Sequence, residues 1–350
     1  MLTLGIETSC DETALALVKG GGIVSHSVAS SIHLHKEFGG VIPEIASRHH
    51  MEYINFILKD VLQSAEKEIS DIELVAATVR PGLVGALLVG LSMAKALSFA
   101  CDIPFIGVDH LMAHLFAAFV GNSHIGFPFV GMIVSGGHTS LFLVRDIDDY
   151  ELLAETSDDA CGEAFDKVAK ILNLGYPGGP AIEKAAGAAG GSVKKGLFPN
   201  KCLEGTLGFS FSGIKTAVLY HVRDRLAQRG VIRRHSFDVK KISDHTDSLK
   251  DSEVAEIAAS FQDSVTEILS DKAISACVKT GVGRLVVGGG VTANTELRRK
   301  LSIKTRQRGI SLYRPPKELC VDNGVMVAGL AERLYEKTGV GSELTVSASS

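Results

Sequence analysis

The pattern of apolar and polar residues alternates between short strands and longer helices along most of the chain. Residues 2–18 and 129–144 each show an apolar run, a small polar turn and a second apolar run. This pattern is typical of a β-hairpin whose turn exposes backbone N–H groups and hydroxyls. Since it occurs twice, well over a hundred residues apart, it indicates two related domains that face each other.

Between and after the hairpins, the spacing of apolar residues predicts helices and buried strands in alternation, which indicates the α/β class. The apolar stretch 83–100 is broken by glycines, serines and Lys95, so a buried helix is expected there and not a membrane span. Residues 233–251 have few large apolar side chains and are expected to form an exposed insertion. Helices are predicted at 44–64, from about Ala86, around 110–114, at 254–278 and from about Thr295, and strands at 74–79, 105–108 and 285–287.

Composition bounds the class of protein without indicating an activity. A length of 350 residues allows two domains, and 45% hydrophobic with 22% charged residues is ordinary for a globular protein. The net charge of −4 gives no sign of nucleic-acid binding, so any basic surface must be local. Six scattered cysteines form no C-x-x-C pair, and no charged leader precedes the first strand. These features favour reduced thiols, a cytoplasmic location and no membrane partner.

Two histidines four residues apart, His110 and His114, form a candidate metal site. On a helix this spacing places both imidazoles on one face, one turn apart. The zinc-protease motif has a glutamate after its first histidine, and Leu111 stands there in this chain. Asp322 begins a predicted C-terminal helix. It can be an N-cap or a third metal ligand, and periodicity alone favours the cap.

Four loops rich in glycine or hydroxyl groups lie beside predicted strand ends, where exposed N–H groups could cradle phosphate. No Walker A motif occurs. Four such loops in a chain with a duplicated hairpin suit a nucleotide in a cleft between two domains. Asp166 shares helical spacing with Glu163 and Lys170, and it can belong to a solvated charged face or accept hydrogen bonds from a ligand. The four loops are residues 8–9, 135–139, 176–180 and 288–290.

Nine ordered blocks, which span nearly the whole chain, resemble the TsaD (Gcp) family, whose members are tRNA threonylcarbamoyladenosine enzymes. Only residues 233–251 and the tail past Lys337 look unlike that family. The blocks are G-I-E-T-S-C-D-E-T at 5–13, F-G-G-V-I-P-E-I-A-S-R at 38–48, P-G-L-V-G-A-L-L-V-G at 81–90, V-S-G-G-H-T at 134–139, G-E-A-F-D-K at 162–167, Y-P-G-G-P at 176–180, F-S-F-S-G-I-K-T at 209–216, G-G-G-V-T-A-N at 288–294 and D-N-G at 322–324.

The resemblance implies two RNase H-like, actin-like domains of the ASKHA (sugar kinase, actin and heat-shock ATPase) superfamily, with a ligand cleft between them. The first domain is expected at residues 1–126, completed by a C-terminal helix at about 323–337. The second is expected at residues 127–322, with the insertion around 233–251.

The family's site residues match this chain position by position. By this resemblance the metal ligands are His110, His114 and Asp322, with Fe²⁺ as the implied ion and Zn²⁺ as the alternative. Asp11 and Glu12, in the first hairpin turn, are the candidate general bases. The implied substrate-binding residues are Ile133, Val134, Ser135, Gly136, Gly137, Asp166, Gly179, Glu183 and Asn294.

The implied activity is that of an acyltransferase, which moves the threonylcarbamoyl group of threonylcarbamoyl-AMP to N6 of adenosine 37 in tRNAs reading ANN codons. The implied partners are the tRNA anticodon loop, a smaller TsaB-like paralogue and a TsaE-like ATPase. A small-molecule kinase of the same superfamily and a non-catalytic scaffold are the alternatives. Candidate tRNA-binding cations are Arg298, Arg299, Lys300, Lys304, Arg306, Arg308, Arg223, Arg225, Arg229, Arg233 and Arg234.

Two departures from the family pattern bear on the site. The family's H-M-E-G-H is replaced by H-L-M-A-H, so Met112 and Ala113 stand at the Glu and Gly positions. The family's G-P-G loop begins here with Arg80, which can contact a phosphate or simply occupy space.

Overall fold

Two five-stranded sheets with the same strand order form the frame of the molecule. The computed structural model describes residues 1–35, 40–120, 122, 124–190, 193–233 and 238–350. The ten strands are β1 (Leu2–Glu7), β2 (Glu12–Lys19), β3 (Gly22–Ser30), β4 (Leu74–Arg80), β5 (Phe105–Asp109), β6 (Phe129–Val134), β7 (Thr139–Asp146), β8 (Asp149–Glu155), β9 (Arg284–Gly288) and β10 (Ser311–Tyr313).

The first sheet has the order β3-β2-β1-β4-β5 and the second β8-β7-β6-β9-β10. In each sheet the first three strands are antiparallel, and the last two run parallel to the third. The central strand of each sheet, β1 or β6, is buried along its whole length because helices cover both faces. Both predicted hairpins are therefore present, and each occupies the same place in its own sheet.

Eleven α-helices surround the sheets within the described part of the chain. They are α1 (Ile32–His35), α2 (Pro43–Ser64), α3 (Val84–Cys101), α4 (His110–Phe116), α5 (Cys161–Ile171), α6 (Gly178–Gly187), α7 (Ser212–Gln228), α8 (Val239–Ser243), α9 (Asp251–Thr280), α10 (Thr295–Gln307) and α11 (Gly324–Thr338). The helices and strands predicted from apolar spacing are all present, with ends that differ by a few residues.

Three large apolar clusters hold these elements in layers, and a small fourth cluster packs α11 against β2. One lies outside the first sheet beneath α2 and α3, and another packs α5 to α7, α9 and α10 against the second sheet. The third lies between the sheets, where α4 and α11 pack against each other. Since α11 follows β10 but packs on β1 and β2, the end of the chain returns to the first sheet. That return brings residues near 322 towards α4.

Two expectations about exposure need correction. Helix α3 buries only one face, with Ala86, Leu87 and Leu91 inside, while Leu88 and Phe99 are exposed on the other. By length and apolar composition α3 would also pass as a membrane span, a test that core helices of soluble proteins pass too.

The second correction concerns the predicted insertion, residues 233–251, of which 234–237 lie outside the described residues. Its described part is not simply exposed, because Ile242 and Leu249 are buried in the core of the second half. Apolar residues spaced this sparsely can still anchor a short helix when a neighbouring surface covers them.

Candidate metal centre and ligand cleft

A cavity of about 660 Å³ opens between the turns of the two hairpins. Most of the residues implied by the family resemblance line it, although they come from distant parts of the chain. From the first half these are Asp11, Glu12 and His110, and from the rest they are Ser135, Gly136, Gly137, Asp166, Gly179, Glu183, Asn294 and Asp322.

Ile133 and Val134 do not line the cavity. Both are the last residues of β6, and their side chains are fully buried in the apolar clusters. Any contribution they make to a ligand would have to come from the backbone at the strand end.

Glycines shape the cleft floor in two different ways. A Cβ on Gly162 would lie 2.7 Å from both Gly136 Cα and Ser135 O, and one on Gly178 would lie 2.5 Å from Asp166 Cα. Gly162 therefore lets α5 approach the second hairpin turn closely, and Gly178 lets α6 approach α5 closely. Gly136 and Gly137, by contrast, have no heavy atom within 4 Å of a Cβ position, so their backbone faces open space.

Helix α4 carries the two candidate metal-binding histidines. Asp109 caps it by accepting hydrogen bonds from the backbone N–H groups of Leu111 (2.9 Å) and Met112 (3.2 Å). The rings of His110 and His114 lie 4.6 Å apart between centroids. The cap and the helical spacing therefore place both imidazoles beside one point, as predicted.

Asp322 completes this group from the other end of the chain. Its Oδ1 lies 3.1 Å from His114 Nε2 and 3.7 Å from His110 Nε2, and one donor atom from each residue lies within 4.8 Å of the others. Asn323, and not Asp322, caps α11, because its side chain accepts from the Met326 N–H. The cap interpretation of Asp322 is thus wrong, and its carboxylate is free to act as a ligand.

The donor set suits a divalent metal ion. Among the described residues, the buried Nδ1 of His114 has no hydrogen-bond partner, and its buried Nε2 has only the Asp322 carboxylate at 3.1 Å, without the geometry of a hydrogen bond. Such burial is costly for an imidazole unless another partner is present. Two imidazoles and one carboxylate are donors that Fe²⁺ and Zn²⁺ accept. The identity of the ion remains an expectation from the family resemblance.

The electrostatics of the metal-free group are dominated by mutual attraction. Burial lowers the pKa of His110, but the carboxylates of Glu7 and Asp322 outweigh burial and raise that pKa to about 9. Burial likewise opposes ionisation of Asp322, yet His110 and His114 lower its pKa to about 2. A cation is therefore favoured at this point of the cleft.

Hydrogen bonds fix the backbone of the first hairpin turn, which carries the candidate bases Asp11 and Glu12. His50, fully buried, contacts Thr13 Oγ1 through Nδ1 (2.7 Å) and the Cys10 carbonyl through Nε2 (3.0 Å). The Asp11 carbonyl accepts from the Ser31 N–H and hydroxyl, both at 2.9 Å.

Within that turn the two carboxyl groups differ in ionisation. Burial, together with the charges of Asp11 and Asp322, raises the pKa of Glu12 to about 10. Glu12 would therefore keep its proton at neutral pH, which favours Asp11 as the base.

Asp166 belongs to the cleft and not to a charged surface. Its Oδ1 accepts from the Gly178 N–H at 2.7 Å, and burial raises its pKa to about 6. Glu163, on the same helix, instead pairs with Lys167 at 2.8 Å. The ligand-facing interpretation of Asp166 is the one that this geometry favours.

The far wall of the cleft is a polar network on α6 and α10. Asn294 caps α10 by accepting from the Leu297 N–H (3.0 Å) and donates to Gln262 (2.8 Å). Glu183 accepts from the Thr295 N–H at 3.0 Å. These bonds fix the positions of Asn294 and Glu183 before any ligand arrives.

The three residues that depart from the family pattern, Arg80, Met112 and Ala113, do not line the cavity. Arg80 lies 3.4 Å from the Asp109 carboxylate and outside the cavity, whose lining includes its neighbour Pro81. Met112 and Ala113 are buried in the apolar cluster between the sheets. None of the three presents a charge to the cleft.

Most of the proposed cationic surface is already paired. On α10, Arg299 pairs with Glu296, and Lys300 and Lys304 pair with acidic residues of α9. On α7, Arg225 and the nearby Arg229 pair with Glu253, and Arg223 pairs with Asp224. Arg298 donates to the carbonyls of Thr292 and Pro315. Arg234 lies outside the described residues.

Glu7, which contacts His110, was missed by sequence reasoning. His138 and Tyr176 line the cleft, and the sequence indicated them only as members of the loops 135–139 and 176–180. A signal for Glu7 exists in the sequence, because a carboxylate in the apolar run L-T-L-G-I-E must find donors if that strand is buried.

Comparison with solved structures identifies the fold. Full-length HypF matches with a TM-score of 0.58 at 16% identity, over 97% of this chain and 47% of that one. Component A of (R)-2-hydroxyglutaryl-CoA dehydratase from Acidaminococcus fermentans matches with a TM-score of 0.51 at 16% identity, over 95% of this chain and 97% of that one. The fold is therefore the two-domain ASKHA fold, as predicted.

Sequence comparisons then identify the family of this chain. A family model described as "TsaD: tRNA N6-adenosine threonylcarbamoyltransferase" matches residues 22–329. Proteins with that name from Dictyoglomus turgidum and Thermosipho africanus are 48% and 43% identical over 99% of this chain, covering 97% and 98% of their own lengths. This chain belongs to the TsaD family, which confirms the family resemblance.

Proposed function

We propose that this chain transfers the threonylcarbamoyl group of threonylcarbamoyl-AMP to N6 of adenosine 37 in tRNAs reading ANN codons. The observation that carries the proposal is that open glycine turns, a histidine–aspartate group and a fixed carboxylate turn meet in one cleft. The family model and the relatives named as transferases support the same activity. They favour neither the small-molecule kinase nor the non-catalytic scaffold.

The adenylate half of the substrate would lie on the second hairpin turn. Gly136 and Gly137 leave open space at their Cβ positions, so backbone N–H groups can approach a phosphate there. Asp166 and Glu183 line the same cavity and can accept hydrogen bonds from ribose hydroxyls. Asp166 does this best above its pKa of about 6.

His110, His114 and Asp322 would hold one divalent ion, Fe²⁺ or Zn²⁺, next to the acyl group. When bound, such an ion supplies Lewis-acid stabilisation of charge on a carbonyl oxygen. Leu111 leaves this group without the resident base that zinc proteases carry.

Asp11 would take the proton released in the transfer. The N6 nitrogen attacks the carbamoyl carbon, the bond from that carbon to the phosphate oxygen breaks, and AMP leaves with the bonding electrons. The N6 proton passes to the Asp11 carboxylate, while Glu12 holds its own proton. Residues His50 and Ser31 keep this turn in place.

The base assignment can be tested by two isosteric variants. Asp11→Asn should lower the rate of transfer by about 100- to 10,000-fold, with AMP binding retained. Glu12→Gln should lower it far less, because glutamine resembles the protonated acid. The reverse order of effects would assign the base to Glu12.

The activity is tested by transfer of radiolabelled threonine, as its carbamoyl-adenylate, to an ANN-decoding tRNA transcript with the partner proteins present. Wild type should transfer, and His110→Ala/His114→Ala should lose both metal and transfer. His26→Ala changes an exposed histidine of β3 and serves as the matched control. Absence of transfer by a wild type that binds metal and AMP would remove the tRNA assignment.

Exposed residues at the end of α10 and on α2 and α3 supply candidate surfaces for partners. Arg306 and Arg308 are exposed and make no ion pair with the described residues, so they remain candidates for tRNA phosphates. Exposed apolar residues Met51, Phe56 and Leu88 on α2 and α3 would suit a protein partner such as the TsaB-like paralogue. The TsaE-like ATPase stays a prediction.

Free thiols at all six cysteines support a cytoplasmic location.

The division into domains at residues 1–126 and 127–322 is likewise a proposal. Its support is that each range supplies one complete sheet, while α11 packs on the first. The cleft would then lie between the domains.

A further inference from the structure

A buried carboxylate at the end of β1 makes three hydrogen bonds that the proposed mechanism does not use. Glu7 has no exposed surface. Its Oε1 accepts from the Ser9 N–H at 2.6 Å, and its Oε2 accepts from the Thr78 hydroxyl at 2.5 Å. The third partner is His110, whose Nδ1 lies 3.1 Å from Oε2.

These contacts define which nitrogen of His110 keeps its proton when the other nitrogen binds a metal ion. The Nδ1 of His110 also lies 3.2 Å from the Ser9 hydroxyl, which can either donate or accept. The Glu7 carboxylate only accepts, so its hydrogen bond with Nδ1 at 3.1 Å requires the proton on Nδ1. The remaining nitrogen, Nε2, points to the metal side, where it lies 3.7 Å from Asp322 Oδ1. Metal-binding histidines commonly donate their second N–H to a carboxylate, which fixes the tautomer and the orientation of the ring.

The other histidine lacks such support. His114 Nδ1 is buried and has no hydrogen-bond partner within the described structure. The orientation of its ring therefore depends on its surroundings in helix α4, whereas that of His110 depends on a charged acceptor. The two ligands are unequal, and His110 is the one fixed in advance.

We propose that Glu7 is the positioning residue of the metal centre, acting through His110 to present Nε2 to a divalent cation. The proposal rests on the metal site in the proposed function but not on the transfer reaction. Glu7 also accepts from Ser9, in the turn that leads to Asp11. It therefore ties the metal side of the cleft to the turn that carries the candidate base.

The test is the affinity of purified full-length protein for Zn²⁺, measured by competition with a chromogenic chelator at fixed pH. Glu7→Gln keeps the shape of the side chain but can present an amide N–H to His110 Nδ1. We expect its affinity for Zn²⁺ to fall by about 10- to 100-fold. Thr78→Val is the matched control, because it removes a donor to the same oxygen of Glu7 without changing what His110 contacts.

Three outcomes decide between the proposals. A wild type that binds Zn²⁺ and a Glu7→Gln variant that binds equally well would overturn the role of Glu7 alone. A wild type that binds neither Zn²⁺ nor Fe²⁺ would remove the metal site and this inference together. Equal losses in Glu7→Gln and Thr78→Val would indicate a general disturbance of the buried carboxylate, and would also overturn the proposal.

A second measurement needs no variant and so does not depend on folding of Glu7→Gln. In the zinc-loaded wild type, nitrogen-15 spectra of the histidine rings should show His110 with a protonated, slowly exchanging Nδ1 and an unprotonated Nε2. Finding Nδ1 as the metal-bound nitrogen would overturn the proposal.

Discussion

Replacement of Gly324 by alanine should destabilise the protein, because the added methyl group would push α11 away from the first sheet. This effect is distinct from the higher helix propensity of alanine. Gly324 is the first residue of α11, two residues after Asp322. A Cβ at this position would lie 2.5 Å from Ala16 N, 2.6 Å from Leu15 C and 2.8 Å from Gly5 O. All three obstacles are backbone atoms of β1 and β2, so none can rotate away.

The expected cost follows from this contact. Overpacking costs about 1–3 kcal/mol in well-packed cores, and obstruction by backbone places Gly324→Ala at the upper end. The control is Gly329→Ala in the same helix, where no atom lies within 4 Å of the Cβ position. That change should stabilise the protein by up to about 1 kcal/mol, because alanine favours a helix over glycine.

The assay is urea unfolding followed by circular dichroism, together with Zn²⁺ affinity. With a slope of about 3 kcal/mol per molar urea, the midpoint for Gly324→Ala should fall by about 1 M, and Zn²⁺ should bind more weakly because Asp322 is displaced. Equal stability and equal affinity in the two glycine variants would refute the close approach of α11 to the first sheet.

Three further predictions concern charge. Binding of Zn²⁺ at pH 7.5 should release about one proton, because His110 has a pKa of about 9 without metal. Titration calorimetry in two buffers of different ionisation enthalpy measures the number of protons released, and a value of zero would contradict the prediction. The Asp166 carboxylate forms as pH rises through about 6. Adenosine, which unlike AMP has no phosphate that titrates near pH 6, should bind about tenfold more tightly at pH 7 than at pH 5 because its ribose hydroxyls donate to the ionised carboxylate. The Asp166→Asn variant should lose that dependence. Arg80→Ala should change stability by less than about 1 kcal/mol, since its pair with Asp109 is largely exposed; a loss of AMP affinity would place Arg80 in the cleft after all.

Local pattern was sufficient to predict the frame of this fold. The two hairpins, the helix at His110 and the long helix α9 each have a periodicity that extends over several residues. Their ends were less certain because capping depends on one hydrogen bond, as the use of Asn323 in place of Asp322 shows.

The pairing of charges across elements could not be predicted in the same way. Lys300 and Lys304 look like a basic surface along α10, but their acidic partners Glu267 and Asp271 belong to α9. Burial of Ile242 depends similarly on the neighbouring helices that cover it. Such contacts are set by packing between distant segments, which spacing along one element does not report.

The equal strand order of the two sheets has a consequence for how the candidate metal centre is assembled. In the first half, the α-helix that follows the last strand is α4, which carries His110 and His114. In the second half, the α-helix that follows the last strand is α11, and Asp322 lies two residues before its start. The candidate ligands thus come from the same place in two repeats, and they meet where those repeats join. Neither half of the chain holds all three candidate ligands, so a fragment that contains only one half would lack the complete site. The relative position of the two halves therefore sets the distance between the two histidines and the aspartate.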